Sequence, residues 1–189
     1  MPGSSLWLLP PADHPLSNVL PSVIDKTSKQ FNSPHRFLPH VTLTSEISPS
    51  KHASDPQAWL DSLDLPTGQD IKVTFERLGS EDAFFRKLYI KCEKSEGVKK
   101  LAIPCRQQVD GFEEEAKALS WAEGQYMPHL SLMYHDCPQV DTTMLATVDM
   151  LGINFTGSGD MGGWIGGRVV LVPTDRPIEH WLPIAERAI

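Results

Sequence analysis

Apolar and polar residues alternate in several stretches of this chain, and alternation marks a strand because successive strand side chains face opposite sides. Residues 5–9 read as a short apolar strand, and 41–46, 71–78, 86–92 and 129–135 alternate as half-buried strands do. The stretches 71–78 and 86–92 fit an antiparallel pair joined through 79–85, while 153–156 and 167–173 supply two closing strands. Other segments carry helical spacing. Leu16, Val19, Leu20, Val23, Ile24 and Phe31 recur on one face over 15–31, where Pro21 breaks or starts the helix. Asp55-Pro56 reads as an N-cap and first-turn proline for a helix through about Leu63. Helical sequence also runs over 96–120, interrupted near Pro104 and Asp110-Gly111, then over 142–151 and over the amphipathic segment 177–188.

Each half of the chain therefore reads helix, strand, helix, strand, strand. Such a duplicated order predicts an α+β class: a bilobal, pseudo-twofold fold with two antiparallel sheets facing a central cleft and helices outside. No linker composition divides the chain, so residues 1–189 are expected to form one domain of two intimately packed lobes. The leading strand of each half carries the same motif, His40-Val41-Thr42-Leu43 and His129-Leu130-Ser131-Leu132, each directly after a proline, Pro39 and Pro128. Strand alternation turns His40 and Thr42 one way and Val41 and Leu43 the other, and treats the second copy alike. Two such strands side by side present two imidazoles and two hydroxyls to one groove. Histidines serve as acid and base near neutral pH, and hydroxyls hydrogen-bond phosphate oxygens. The set suits phosphodiester chemistry without a metal.

These paired motifs resemble the 2H phosphoesterase superfamily. The run His129-Leu-Ser-Leu-Met-Tyr134 and the opening Leu6-Trp7-Leu8-Leu9-Pro10 are similar to its plant and fungal cyclic phosphodiesterases. The resemblance implies the bilobal fold and hydrolysis of 2′,3′-cyclic nucleotides, opened at the 3′ oxygen to leave a 2′-phosphate. It also implies ADP-ribose 1″,2″-cyclic phosphate, from tRNA splicing, as the physiological substrate. The two motifs are nearly symmetric, which leaves the roles exchangeable; His129 is assigned as base and His40 as acid, with Thr42 and Ser131 on the non-bridging phosphate oxygens. The resemblance implies an active-site role for Tyr134, although strand parity groups it with Leu130 and Leu132. Trp7 and the pair Phe84-Phe85 are candidates for stacking a nucleobase, the pair because adjacent aromatics in a connection do not readily face one core.

Composition narrows the ligand. The 189 residues carry a net charge of −7, and no Lys/Arg cluster is larger than a pair such as Lys99-Lys100. A small cyclic phosphate nucleotide fits that balance better than a long nucleic acid. No apolar run approaches the roughly 20 residues of a membrane span, and Pro10-Pro11 interrupts the only apolar start. A cytoplasmic monomer is expected, with Golgi association the alternative that the fungal resemblance carries. Cys92, Cys105 and Cys137 show no metal or redox spacing. His35, His40, His129 and His135 are the metal alternative, but no carboxylate-bearing ligand motif accompanies them, and neither metal nor cofactor is expected. The glycine-rich 157–167 lacks the lysine of a phosphate loop and reads as a connection between strands. Two rivals remain: a 2′-5′ oligonucleotide or RNA-end phosphodiesterase, which would favour a basic track beside the groove, and a non-catalytic nucleotide-binding module.

Overall fold

Alternation holds where a strand has one face on a core and one on a groove, and that arrangement recurs throughout the computed structural model of the chain, which describes residues 3–189. In chain order it forms β1 (Ser4–Leu9), α1 (Leu16–Gln30), β2 (Val41–Ile47), α2 (Pro56–Asp61), β3 (Lys72–Gly79), β4 (Leu88–Cys92), α3 (Glu96–Arg106), α4 (Glu115–Gly124), β5 (His129–Met133), α5 (Thr142–Leu145), β6 (Gly163–Ile165), β7 (Arg168–Pro173) and β8 (Ala185–Ala188). The strands join in one antiparallel sheet of order β6-β3-β4-β5-β2-β1-β7-β8. Its two four-stranded halves meet edge to edge at the motif strands β2 and β5, through the pair Val41 and Leu130. The α+β, antiparallel, two-part expectation describes this fold. The halves of the sheet, however, are not the halves of the chain: β1 and β2 sit with β7 and β8, while β3 and β4 sit with β5 and β6.

One face of the sheet carries the main core. Leu6, Leu8, Val41, Leu43, Leu130 and Leu132 pack there beneath Leu16, Leu20, Val23 and Ile24 of α1 and Val98, Leu101, Ala102 and Cys105 of α3. Pro21 lies inside α1 without ending it. Asp55 caps α2 as its position suggests, accepting from the Ala58 N–H at 2.9 Å. The opposite face holds a smaller cluster of Trp7, Leu9, Tyr134, Val170, Val172 and Trp181.

Three elements differ from the sequence expectation. Residues 177–188 form no long helix, because Pro183 lacks an N–H and disfavours helix in the residue before it; Ile178–His180 makes a single 3₁₀ turn and β8 pairs with β7 from Leu171↔Ala185 to Arg168↔Ala188. The helix begun at Thr142 ends at Leu145, and Leu151 and Gly152 take positive φ of 51° and 87°. Residues 153–156 turn rather than extend, since the Asn154 side chain accepts from the Thr156 N–H and hydroxyl. The strand lies instead within the glycine-rich segment, as β6 against β3.

Gly163 explains that placement. Its φ is 144°, and a Cβ there would meet the Val73 carbonyl oxygen at 1.9 Å. Only glycine lets β6 close on β3. Gly163→Ala should therefore destabilise the protein by about 1–3 kcal/mol of backbone strain, read in calorimetry as a midpoint lower by roughly 2–12 °C. An unchanged midpoint would mean that β6 contributes nothing to the fold.

Candidate active site

Antiparallel counting from Val41↔Leu130 sets His40 beside Ser131 and Thr42 beside His129. Val41 and Leu130 both enter the main core, so the histidines and hydroxyls turn together to the opposite face. Each motif histidine thus neighbours the other motif's hydroxyl.

Both imidazoles are held alike. His40 Nδ1 lies 2.6 Å from the Leu38 carbonyl and His129 Nδ1 lies 2.8 Å from the Met127 carbonyl. A carbonyl only accepts, so each Nδ1 carries its hydrogen and each Nε2 offers a lone pair while the ring is neutral. The prolines supply the local reason. Pro39 and Pro128 stand between each carbonyl and its histidine, holding the preceding residue extended and bringing no N–H of their own. Leu38 and Met127 thus anchor the two rings, and the shared proline after each marks them in the sequence.

The rings differ in surroundings. Burial pushes His40 from 6.5 down to about 3, the Leu38 hydrogen bond opposing and His129 adding to the fall. His129 is also lowered by burial, but is partly exposed; the Met127 bond and Glu81 oppose the fall, and Arg86 adds to it. Around His129 runs a polar network: Tyr89 stands edge-on at 5.6 Å and donates to Glu81 Oε1 at 2.8 Å, and Arg86 Nε donates to Glu81 Oε2 at 2.7 Å. Burial alone would raise Glu81, yet those two hydrogen bonds hold its carboxyl below the ordinary value. Gly79 leaves the room for this, since a Cβ there would meet the Tyr89 ring at 2.9 Å.

The hydroxyls are unequal too. Thr42 is half-buried, and its side chain has no hydrogen-bond partner within the protein among the described residues. Ser131 is buried and donates its proton to the Phe85 carbonyl at 2.7 Å. To donate to a phosphate oxygen it must leave that bond, whereas Thr42 has nothing to give up.

Aromatic residues close the groove side. Trp7 is fully buried and lies flat on His40, ring centroids 3.6 Å apart at 6°. It has no free face for a nucleobase, which corrects the base-stacking expectation: β1 is an inner strand, and the slot over its indole belongs to the imidazole. Tyr134 is buried in the same cluster, stacked on Phe37 at 3.8 Å, because β5 ends at Met133 and strand parity lapses. Burial raises its hydroxyl, with Ser131 opposing the rise. Phe84 and Phe85 stay half-exposed, and the 3₁₀ turn Phe84–Arg86 brings both against Tyr134, at 6.2 and 5.1 Å. Trp181, which the sequence reading passed over, completes the cluster beside Trp7 and Phe85.

Beside His129, cross-strand pairing sets Lys91 and then Arg77 on the same face. With Arg86 these make a short cationic strip drawn from separate parts of the sequence, where they form no run of charge. Lys91 is paired with Glu76 at 2.7 Å. The glycine-rich segment lies elsewhere, lining a cavity of about 440 Å³ with His14, Lys72 and Trp164. His35 packs edge-on to Phe84 and His135 Nδ1 accepts from the Asp136 N–H. Among the described residues no three His, Cys, Asp or Glu side chains could hold a metal ion together, and no helix is long and apolar enough to cross a membrane.

The family described as cyclic phosphodiesterase-like protein matches residues 1–189. The chain is 61% identical to the 2′,3′-cyclic-nucleotide 3′-phosphodiesterase of Phaeosphaeria nodorum and 39% identical to that of Neurospora crassa, each alignment covering 100% of both proteins. Its fold is similar to that of LigT from E. coli, solved in complex with 3′-AMP, with a TM-score of 0.55 and 13% identity over 100% of this chain and 99% of that one.

The buried imidazoles bear on stability. Above pH 6.5 neither folded nor unfolded chain protonates His40; below it the unfolded chain does so first, and the folded ring follows only near pH 3. Stability should therefore fall with pH between those limits, by up to about 1.4 kcal/mol per unit for this ring. Urea unfolding at pH 4 to 7 should give a shallower slope for His40→Asn than for the native chain. Identical slopes would show that His40 titrates normally in the fold.

Proposed function

This chain belongs to the cyclic phosphodiesterase-like protein family, and on that premise we propose that it hydrolyses ribose cyclic phosphodiesters, opening 2′,3′-cyclic nucleotides at the 3′ oxygen to leave 2′-phosphates. The observation that carries this reading is the matched pair of Nδ1 bonds on neighbouring strands, which leaves both Nε2 lone pairs uncommitted on the same face of the sheet. A cyclic phosphate keeps its leaving oxygen in place, so the protein needs only a base, an acid and donors for the phosphate.

His129, partly exposed, takes a proton from the attacking water as its oxygen bonds to phosphorus; the P–O3′ bond breaks, and His40 donates a proton to the departing oxygen. His40 is neutral in the empty groove and takes up a proton from solvent as the substrate binds: an anionic phosphate against Nε2 restores the proton affinity that burial removes. Thr42 donates to a non-bridging oxygen, where charge develops, and Ser131 joins it once released from Phe85. Phe84 and Phe85 meet the base. Tyr134 supports them from beneath.

Lys91, Arg77 and Arg86 favour substrates with further phosphates, ADP-ribose 1″,2″-cyclic phosphate among them. Glu76 and Glu81 offset two of these three cations, which argues against an RNA track. No residue set in the groove calls for a metal, and EDTA should leave turnover intact.

His40→Ala and His129→Ala should each fold and lose at least about a hundredfold in kcat on 2′,3′-cyclic AMP, with phosphorus NMR locating the native product's phosphate at the 2′ position. Near-native turnover in either variant would overturn the two-histidine mechanism.

A further inference from the structure

We propose that Trp7 is a positioning residue for His40, and that its indole face carries the positive charge His40 acquires while it holds the proton for the departing ribose oxygen. This deepens the phosphodiesterase reading and rests on it for the step served, though not for the ring contact itself.

The two rings are parallel to within 6° at a centroid separation of 3.6 Å, which is full face-to-face contact. Neutral aromatic pairs prefer offset or edge-on packing, because stacked faces bring like quadrupoles together. A cation over the same face is attracted instead, and indole is the best platform among the aromatic side chains. The arrangement therefore gains when His40 is protonated. Trp7 cannot move away: β1 is paired on both sides, with Trp7 opposite Thr42 and Val170, and Trp181 packs at 6.1 Å.

A second observation concerns the other end of the indole. Trp7 Nε1 is buried and has no hydrogen-bond partner among the described residues, a state that ordinarily destabilises a fold. A phenyl ring would fill much of this slot without burying a donor. What an indole adds is a stronger π face, and the surface it meets is the imidazole.

Among the described residues no carboxylate acts on His40 to supply a countercharge. β1 carries no charged residue, and residues 33–39 bring His35, which packs on Phe84, and Arg36, which pairs with Asp25. β5 brings His129, which repels a charge on His40. At the start of β7, Arg168 is paired with Glu186. Phe37 meets the ring edge-on at 6.4 Å. His129 differs, with the Glu81 carboxylate in its network. One histidine is thus served by a carboxylate and the other by an aromatic face, a division that suits a base on one side and a charge-bearing acid on the other.

The test compares native protein, Trp7→Phe and Trp7→Leu, by NMR titration of the His40 ring in the free chain and with saturating 2′-AMP, together with pH profiles of kcat. Trp7→Leu should lower the His40 titration by about 0.4 to 1.5 pH units, the equivalent of a cation–π contact. It should also lower kcat several-fold at little change in KM; Trp7→Phe should restore most of both and be no less stable thermally. Should Trp7→Leu fail to fold, uniform incorporation of fluorinated tryptophan keeps the ring shape while draining its face, and the His40 titration should fall with each added fluorine. A His40 titration unmoved by fluorination or by Trp7→Leu would overturn the proposal. Native protein inactive on 2′,3′-cyclic AMP, with the titration still shifting, would overturn the phosphodiesterase reading and leave the ring contact standing.

Discussion

A single antiparallel bridge, Val41 to Leu130, organises everything else in this molecule. It welds two four-stranded halves into one sheet, and because both residues point into the helix-covered core, it obliges their neighbours to point away. A slip of one residue would exchange every inward and outward side chain of a strand. The apolar positions of the motifs thus fix the polar ones: Val41, Leu43, Leu130 and Leu132 give the burial that keeps two histidines and two hydroxyls in register.

The pseudo-symmetry of backbone and motif does not extend to environment. His40 is enclosed between an indole and a carbonyl, while His129 borders Glu81, Arg86 and solvent. Thr42 keeps its hydroxyl uncommitted and Ser131 spends its proton on the 3₁₀ turn that carries Phe85. Two near-identical tetrapeptides have been given unlike chemistry by residues that neither contains.

What was legible in the sequence follows that division. Period-two alternation located the motif strands, and parity alone predicted which face each motif residue takes. The proline before each histidine was visible, but its consequence, a carbonyl aimed at Nδ1, needs coordinates. Parity misplaced Tyr134 because the strand ends one residue before it. Trp7 was read as a surface for substrate because sequence does not say whether a strand is at the edge or inside. Pro183 was the missed signal against a closing helix, and Gly163 the missed signal for a strand inside a glycine-rich stretch. The cationic strip of Arg77, Arg86 and Lys91 was invisible for a plainer reason: its members meet only across strands.

The exchange of strands between the two halves of the sheet shapes how the chain must assemble. β1 lies between β2 and β7, so the strand made first has one edge unsatisfied until a segment near the other end arrives. Closing so long a loop is entropically expensive, and topologies dominated by such pairings fold slowly. During synthesis the nascent β1–β2 pair, joined across α1 and with Trp7 at its centre, shows an unpaired edge and an apolar face until β7 docks. The order in which the ribosome releases the strands thus makes this half of the sheet, the one that carries His40, the last to become complete and the most exposed to mispairing along the way.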